Sequence, residues 1–589
     1  MTNPPQTTTL VDLLLRSTER YPDLPAASDD ELSITYAELD RRSRTVAGLL
    51  RSRGVQLGDR VGLYIDRSVD VVVAILGILR AGAAYVAVDS RYPDARRDLM
   101  LRASGAKTVI TRPDWRDRLG EVDADIVTLE EATDDACAQD GPAGPTDAAS
   151  VLFTSGSSGE PKAIVLEHRN IVSFATNPSL PALRPGDRTG QISSLSFDAF
   201  HFEMWTTLAS GAEIVVLPPV PDLLAADFQR ELKRRRITAM LVPTMVLNHV
   251  VWEDRDAFAA LRILQAGGDV ILPSACRDLL GGKFDGELYN LYGPAEITTA
   301  CTAHLVGEAD LAGDSIPIGR ALHGVSTYVL DPGGQPVPAG AVGELHVGGP
   351  GVARGYLDRP DLTVERFLPD PFGDSGTLYR TGDLVRERPD GVLEFVGRAD
   401  DQVKIRGYRV EPGDVERNLR RHSDVHDAVV LATGEDSDRS LVAFVVLNDA
   451  VTIKKLRQYA EAELPDYLVP SEFVVLPAIP ANENGKRDLD ALHEELDQLR
   501  SRRENYAAPA TDTERYLAEM WAGLLAVENV GRDDDFFQLG GHSLMAFRLN
   551  TKIKRDLGIT LDHKAILRNP VLGHIASLID EAKTLADRS

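Results

Sequence analysis

The most informative stretch of this sequence runs from Phe153 to Lys162 and reads FTSGSSGEPK. It combines small hydroxyl residues, glycines and a final lysine, so it offers many backbone N–H groups, several hydroxyls and one cation. Such groups are what the phosphate oxygens of a nucleotide require. The stretch is not a Walker A loop, because the fifth residue after Gly156 is Pro161 where that motif has glycine. The sequence therefore predicts a phosphate-binding loop of another kind.

A second short stretch, GGHSLMA at residues 540–546, lies close to the other end of the chain. It places Ser543 in a glycine-rich turn that opens a helical pattern. A hydrolase nucleophile elbow has the form Gly-x-Ser-x-Gly, but Met545 occupies the position of its last glycine. The Ser543 hydroxyl also has no His–Asp pair in sequence reach that would activate it. We therefore expect Ser543 to carry a covalently attached group and not to act as a catalyst.

Composition excludes several classes of protein. The chain has 589 residues, of which 43% are hydrophobic, and a net charge of −26. The length predicts about three to four domains, and the charge argues against nucleic acid and anionic membranes as partners. The three cysteines, Cys137, Cys276 and Cys301, form no CxxC pair, which favours a reducing compartment over a disulfide framework or a zinc site. With no signal-peptide pattern at the start, we expect a cytoplasmic protein with no membrane span.

The pattern of apolar residues predicts a multidomain chain. Helical and strand patterns alternate over residues 10–130 and again over 150–300, which indicates an α/β domain with a largely parallel sheet. Short strand patterns between Gly/Pro turns over 316–396 predict a β-rich subdomain. A small α+β domain should follow, then a charged and Ala/Pro-rich linker, then an all-α four-helix domain. The predicted boundaries are 1–399, 400–500, 501–512 and 513–589.

Several further motifs follow one another in a fixed order. They are FDAF at 197–200, NLYGPAE at 290–296, YRTGD at 379–383, GRADDQVKIRGYRVE at 397–411 and NGK at 484–486. Together with the loop at 153–162, they resemble the adenylation domains of nonribosomal peptide synthetases, which are members of the adenylate-forming superfamily. The last 75 or so residues resemble a peptidyl carrier protein. The resemblance implies that an acid reacts with ATP to give an acyl-adenylate, and that a pantetheine thiol then displaces AMP.

The resemblance assigns roles to individual residues of this sequence. The β- and γ-phosphates of ATP would bind the loop of Thr154, Ser155, Gly156, Ser157, Ser158, Gly159 and Lys162. Tyr292 would stack on adenine, Glu296 would hold Mg²⁺, and Asp383 with Arg398 would bind the ribose. Lys486 would bridge the substrate carboxylate and the α-phosphate, where negative charge concentrates in the transition state. Thr154, Glu296 and Lys486 are the residues to which the resemblance gives catalytic roles.

The resemblance also predicts the substrate. Asp198 matches the residue that pairs with the α-ammonium group of amino acids, and a buried carboxylate needs such a cation. The matching pocket positions are Asp198, Ala199, Phe202, Leu241, Leu264, Ala266, Leu291, Thr299, Ala300 and Lys486. Apart from Asp198, Thr299 and Lys486 these residues are apolar, so a charged substrate side chain would be left unpaired. We expect an uncharged, apolar amino acid, either proline or a branched aliphatic residue.

In the carrier region the resemblance makes Ser543 the attachment point of 4′-phosphopantetheine, added by a separate phosphopantetheinyl transferase. Asp400 would be the hinge about which the small domain turns between the two half-reactions. The loaded carrier would serve downstream tailoring or condensation enzymes in trans, in the biosynthesis of an antibiotic or related natural product. A small MbtH-like protein is a further candidate partner.

Two alternatives to this function stay open from the sequence. The first is a ligase that loads an acyl or aryl acid onto a carrier protein, which the presence of Asp198 disfavours. The second is a non-catalytic carrier scaffold with a decayed adenylation domain. The intact Glu296, Asp383 and Lys486 argue against that scaffold.

Overall fold

The computed structural model divides the chain into two compact units. The first comprises residues 1–220 and 227–409, and the second comprises 221–226 and 410–589. The expected domain boundaries, after residues 399, 500 and 512, stay predictions. The structure describes residues 8–133, 140–154, 161–225, 227–313, 315–373, 376–400, 402–405, 407–434, 439–448, 452–480, 487–501, 507–525, 530–536, 539, 543–559, 561 and 569–586.

Two mainly parallel sheets form most of the first unit. Within its described residues, the larger sheet has nine strands in the order Arg320–Ala321, Thr302–Leu305, Glu287–Tyr292, Ile263–Gly267, Ala239–Pro243, Arg188–Gln191, Glu213–Val216, Pro25–Ser28 and Ser33–Thr35. The second sheet has seven described strands in the order Gly355–Tyr356, Lys162–Glu167, Ala148–Thr154, Ala84–Ala87, Arg60–Tyr64, Thr108–Thr111 and Asp125–Thr128. Antiparallel pairs occur at the edges of both sheets, so the α/β architecture expected from the alternating pattern is confirmed.

Helices cover these sheets. In the first unit they are Leu10–Arg20, Tyr36–Ser52, Val69–Ala81, Asp94–Ser104, His168–Ala175, Thr207–Ala209, Phe228–Arg234, Thr244–Glu253, Pro273–Leu280 and Pro360–Arg366, and helix Val220–Ala225 lies at the division of the units. The helix Val69–Ala81 is buried along nearly its whole length, as its run of apolar residues predicts. It ends at Gly82, whose φ of 91° is the left-handed conformation that favours glycine at a helix end.

A β-rich sheet completes the first unit, as the sequence predicts for residues 316–396. It contains the described strands Ser326–Leu330, Val342–Gly348, Thr377–Glu387, Phe367–Pro369 and Leu393–Arg398. A ribbon of Val403–Ile405 and Tyr408–Val410 follows. The long strand Thr377–Glu387 pairs with three neighbours and carries Asp383, which lies opposite Arg398 in the antiparallel register. The sheet therefore brings the two residues assigned to the ribose side by side.

The second unit begins as a small α+β fold. Its strands Val425–Thr433, Ser440–Leu447 and Glu472–Val475 form one sheet, and its helices are Pro412–Arg420, Ile453–Glu463 and Leu489–Ser501. Three helices follow among the described residues of the C-terminal region: Asp512–Leu525, Ser543–Leu557 and Leu572–Ala586. Trp521, Phe536 and Leu549 are buried in a common core of this region. In the part of the chain that the structure describes, no helix is both long and apolar enough to cross a bilayer.

Candidate active site

The candidate active site lies at the carboxyl end of a central strand of the larger sheet. Tyr292 is the last residue of strand Glu287–Tyr292, and Glu296 lies on the single turn Ala295–Ile297 that follows. Gly293 makes the tight link between them, because a Cβ atom at this position would lie 2.6 Å from the Cα of Ala300. The end of a strand where the chain turns sharply is a usual place for ligand-binding residues in α/β folds.

Tyr292, Asp383 and Arg398 form one hydrogen-bonded group. The Tyr292 hydroxyl donates to Oδ2 of Asp383, and Nη1 of Arg398 donates to Oδ1 of the same carboxylate. Burial, followed by the charge of Asp383, raises the pKa of Tyr292 well above its ordinary value, so the phenol stays protonated and remains a donor. The ammonium of Lys404 lies 5.8 Å from the centre of the Tyr292 ring. This arrangement offers a ribose a fixed carboxylate beside an aromatic ring.

Arg398 also connects this group to the residues that follow it. Its Nε donates to Oδ1 of Asp400 at 2.7 Å, and its Nη2 donates to Oε1 of Gln402 at 2.7 Å. The same Gln402 oxygen accepts a hydrogen bond of 2.6 Å from Nε of Arg409. Asp400, the predicted hinge residue, is therefore paired with Arg398. Burial alone would raise the pKa of Asp400, but the pairing with Arg398 brings it below its usual value. Whether Asp400 is a hinge stays a prediction.

Glu296 is held as a buried carboxylate. Its side chain is 2% exposed, its Oε1 accepts a 2.8 Å hydrogen bond from the Tyr356 hydroxyl, and its Oε2 lies 3.4 Å from Nη1 of Arg409. Burial alone would raise the pKa of Glu296, but the charge of Arg409 and the Tyr356 hydroxyl bring it below its ordinary value. Mg²⁺ is commonly held by one or two carboxylates together with substrate phosphates. The lowered pKa keeps Glu296 ionised, and an ionised carboxylate is the form that binds Mg²⁺.

Asp198 lies in a turn just before His201, and Thr299, from a distant segment of the chain, contacts both residues. The Thr299 hydroxyl donates to the backbone oxygen of Asp198 at 2.7 Å and lies 3.3 Å from Nδ1 of His201. The Asp198 side chain is half-buried, and this burial raises its pKa to about 7, with Glu296 adding to the effect. His201 is buried deeply enough to lower its pKa to about 3, so it is neutral. An ammonium group near Asp198 would favour the ionised carboxylate.

Most of the apolar pocket candidates come together. Ala199, Phe202, Leu241, Leu291 and Ala300 pack in one hydrophobic cluster.

Leu264 and Ala266 do not lie on the same face of the sheet as Leu241. Leu241 pairs with Gln265 across the parallel strands, and side chains alternate along a strand, so Leu264 and Ala266 point to the opposite face. The residue that shares the face of Leu241 is Gln265, which is completely buried and whose amide oxygen and nitrogen have no hydrogen-bond partner among the described residues.

The phosphate-loop residues are described only at the two ends of the loop. Thr154 is the last residue of strand Ala148–Thr154, and it pairs with Lys162, the first residue of the antiparallel strand Lys162–Glu167. The candidates Ser155, Gly156, Ser157, Ser158, Gly159 and Lys486 lie outside the described residues. In the C-terminal region, Ser543 is the first residue of helix Ser543–Leu557, as the sequence predicts.

Sequence reasoning missed Arg409, Gln402, Tyr356 and Gln265 as residues of this region. Arg409 and Gln402 belong to the motif at 397–411, which was the available signal for them, but the motif does not predict the contact of Arg409 with Glu296. Tyr356 comes from strand Gly355–Tyr356, which is sixty residues from Glu296 in sequence and contacts it only through the tertiary fold. Gln265 is a single polar residue in an apolar strand, and that interruption was the available signal.

Comparisons with known proteins identify three domain families along the chain. The AMP-binding enzyme family matches residues 14–357, the AMP-binding enzyme C-terminal domain matches 414–486, and the phosphopantetheine attachment site matches 515–579. Gramicidin S synthase 2 of Brevibacillus brevis is 37% identical over 587 residues, which are 98% of this chain but 13% of that protein. Surfactin synthase subunit 3 of Bacillus subtilis (strain 168) is 35% identical over 95% of this chain and 44% of its own length. The chain therefore spans less than half the length of these relatives.

Solved structures extend the comparison to the whole chain. Holo-PA1221, an NRPS protein containing adenylation and PCP domains bound to a vinylsulfonamide inhibitor, has a TM-score of 0.83 at 27% identity and covers 98% of this chain and 97% of its own. Klebsiella oxytoca NpsA in complex with 3-hydroxyanthranilyl-AMSN has a TM-score of 0.61 at 27% identity, over 83% of this chain and 99% of that one.

The matched domains imply the cofactors. An AMP-binding domain implies ATP and Mg²⁺, and a phosphopantetheine attachment domain implies 4′-phosphopantetheine together with the transferase that adds it. The expected adenylation and carrier domains are thus confirmed, and the chain belongs to the AMP-binding enzyme family, in the adenylation–carrier form found in nonribosomal peptide synthetases.

Proposed function

We propose that this protein activates an amino acid as its aminoacyl-adenylate and transfers it to the phosphopantetheine thiol on its own Ser543. The observation that carries the choice of an amino acid is the environment of Asp198. Burial raises the pKa of this carboxyl to about 7, so its ionised form is costly until a cation pairs with it. The α-ammonium group of an amino acid supplies that cation, whereas a simple acyl or aryl acid does not.

In the first half-reaction, a carboxylate oxygen of the substrate attacks the α-phosphorus of ATP, and the bond to pyrophosphate breaks. Asp383 and Arg398 would fix the ribose, and Tyr292 would contact the adenine. Glu296 would hold Mg²⁺, which lowers the cost of negative charge on the phosphates. Lys486 and the loop of Thr154 to Lys162 would contribute cations and donors to the same phosphates.

In the second half-reaction, 4′-phosphopantetheine held on Ser543 would supply the thiol that accepts the aminoacyl group as a thioester, with AMP as the leaving group. Ser543 contributes only its ester link to the pantetheine. Its position at the first turn of helix Ser543–Leu557 supports this role, since an attachment point must be reachable by a transferase.

The side chain of the substrate is proposed to be uncharged and apolar, with proline and the branched aliphatic residues as candidates. The support is the cluster that Phe202, Leu241, Leu291 and Ala300 form beside the turn of Asp198. A charged side chain among these residues would lose its hydration without gaining a partner.

A second candidate function is loading of an acyl or aryl acid onto the carrier. The specific observation in its favour is the similarity to NpsA, whose solved complex contains 3-hydroxyanthranilyl-AMSN. Under this alternative Asp198 would stay protonated at neutral pH, which its raised pKa permits.

The proposed partners are a phosphopantetheinyl transferase, an MbtH-like protein, and condensation or tailoring enzymes that accept the loaded carrier in antibiotic biosynthesis. The cysteines Cys276 and Cys301 are buried free thiols, which supports the cytoplasmic location expected from the sequence.

Pyrophosphate exchange into ATP, measured with a panel of amino acids and des-amino acids, tests the proposal. We expect exchange with an apolar amino acid and none with the matching des-amino acid. The Asp198→Ala variant should lose the amino acid and gain relative activity with the des-amino acid. A preference for aryl or acyl acids in the unmodified protein would select the alternative, and a preference for Asp, Glu, Lys or Arg would contradict the pocket assignment.

A further inference from the structure

Arg409 occupies the position beside Glu296 where a metal ion would be expected. Its Nη1 lies 3.4 Å from Oε2 of Glu296, and the second oxygen of that carboxylate is engaged by Tyr356. The guanidinium is 20% exposed and Glu296 is 2% exposed, so little water separates the two charges. A guanidinium in this place neutralises the carboxylate in the way that a bound cation would.

Arg409 and a metal ion on Glu296 would draw on the same carboxylate oxygen. Mg²⁺ carries two positive charges, and repulsion between it and a guanidinium a few ångströms away is strong in a poorly hydrated site. We therefore expect Arg409 to move away from Oε2 when Glu296 holds Mg²⁺. Arg409 has a contact that could retain it after such a movement, because its Nε donates to Oε1 of Gln402 at 2.6 Å.

Gln402 connects Arg409 to the residues proposed to bind the ribose. Its Oε1 accepts from Arg409 and also from Nη2 of Arg398, which pairs with Asp383. Other charged and polar groups that face Arg409 are Tyr379, whose hydroxyl lies 3.5 Å from its Nη1, and Asp383 at longer range. The charge of Arg409 therefore interacts with the carboxylate proposed for Mg²⁺ and, at longer range, with the carboxylate proposed for the ribose.

We propose that Arg409 is a positioning residue that competes with Mg²⁺ for Glu296 and replaces it once magnesium pyrophosphate has left. This inference rests on the proposed role of Glu296 as the magnesium ligand. In the first half-reaction Arg409 would leave Oε2 of Glu296, which would then hold Mg²⁺. In the second, Arg409 returns and keeps the buried carboxylate neutralised, so that no uncompensated charge remains beside the adenylate. No covalent bond of Arg409 changes in either step.

Binding of Mn²⁺, measured by electron paramagnetic resonance on the full-length protein with a non-hydrolysable ATP analogue, tests the competition without relying on turnover. Removing the competing charge in Arg409→Gln should tighten Mn²⁺ binding by at least about fivefold, the lower end of usual coupling between sites. Arg409→Lys keeps a cation and should bind Mn²⁺ nearly as the unmodified protein does. Adding Glu296→Gln to Arg409→Gln should abolish the gain. Unchanged or weaker binding in Arg409→Gln would overturn the proposal.

Tyr356→Phe is the matched control, because it removes the other contact of Glu296 without altering a charge, and it should not tighten Mn²⁺ binding. If Arg409→Gln does not fold, the Nε–H resonance of Arg409 in the unmodified protein, assigned with Arg409→Lys, gives a second test. This resonance should shift when Mg²⁺ and the analogue are both present, and its failure to shift would contradict the displacement.

The outcome is separable from that of the proposed function. If no amino acid supports pyrophosphate exchange, the proposed function fails whatever Mn²⁺ does. If exchange is normal and Arg409→Gln leaves the affinity for Mn²⁺ unchanged, only the competition fails. The competition also predicts that Arg409→Gln slows thioester formation more than adenylate formation, and the opposite order would contradict it.

Discussion

The phenol of Tyr292 donates a hydrogen bond to the carboxylate of Asp383, a residue ninety-one positions later in the chain. Through this contact the larger sheet, which carries Tyr292, orients the carboxylate proposed to bind the ribose. Asp383 is 3% exposed, and Arg398 on the neighbouring strand holds its other oxygen.

The Tyr292→Phe variant distinguishes the contribution of the hydroxyl from that of the aromatic ring. The ring remains, but Asp383 loses a buried donor, which should lower the free energy of unfolding by about 1–3 kcal/mol. The KM for ATP should rise, because the carboxylate is less firmly oriented, while the KM for the amino acid should change little. Chemical denaturation and steady-state kinetics measure both quantities. An unchanged KM for ATP would argue that Asp383 does not bind the nucleotide.

The pKa of Asp198 predicts a pH dependence of amino acid binding. Because burial raises this pKa to about 7, the carboxyl is mostly neutral at pH 6 and mostly ionised at pH 8. Only the ionised form pairs with an ammonium group, so the KM for the amino acid should fall by about tenfold from pH 6 to pH 8. Asp198→Asn should have a high KM that does not vary over this range. A KM that rises with pH in the unmodified protein would contradict the pairing.

The carboxyl of Asp198 should also make the folding stability of the protein depend on pH. An unfolded Asp has a pKa of about 3.9, so between about pH 4 and pH 7 the native state binds more protons than the unfolded state. The contribution of Asp198 to stability is therefore complete below about pH 4 and is lost as the pH rises through 7. Asp198→Asn should stabilise the protein at pH 8, and this gain should shrink as the pH falls towards 4. Thermal melting across that range measures the effect.

Gln265 should be a destabilising residue. Its amide is fully buried and has no partner among the described residues, so Gln265→Leu should raise the free energy of unfolding by about 1 kcal/mol. Gln191 is the matched control, since it is also buried but donates to the Ser193 oxygen at 2.7 Å and to Glu203 at 3.0 Å. Gln191→Leu should therefore destabilise the protein. Destabilisation of similar size by both changes would mean that Gln265 is paired in solution.

Lys486→Ala should reduce adenylate formation by several orders of magnitude, because the resemblance places this ammonium on charge that develops in the transition state. Transfer from preformed adenylate to the carrier should suffer much less. Rapid-quench measurements of the two half-reactions distinguish these effects. Equal losses in both would contradict a small domain that carries Lys486 away between them.

Much of the fold follows from local patterns in the sequence. Helix Val69–Ala81 is predicted by its apolar run and ended by Gly82, and helix Ser543–Leu557 by its period and its glycine-rich approach. These signals depend only on neighbouring residues, so they can be recognised in one sequence without knowledge of tertiary contacts. The resemblance assigns Tyr292 to adenine and Asp383 with Arg398 to the ribose, and the structure brings the three residues into hydrogen-bonding contact.

Contacts that depend on register or on long-range packing were not predicted. Leu264 and Ala266 differ from Gln265 by one position, and only the pairing of Leu241 with Gln265 fixes which of them share a face of the sheet. The approach of Arg409, on strand Tyr408–Val410, to Glu296, on the turn Ala295–Ile297, likewise joins segments that are distant in sequence. Neither relationship leaves a periodic signal in the chain.

Intact-protein mass spectrometry after incubation with coenzyme A, a phosphopantetheinyl transferase, ATP and the preferred amino acid tests the central claim most directly. The unmodified chain should gain first the mass of pantetheine phosphate and then that of one aminoacyl group. Ser543→Ala should gain neither, yet should retain amino-acid-dependent pyrophosphate exchange near the level of the unmodified protein, because adenylate formation does not use the carrier. A loaded Ser543→Ala protein, or an unmodified protein that takes up pantetheine but never an amino acid, would contradict the account.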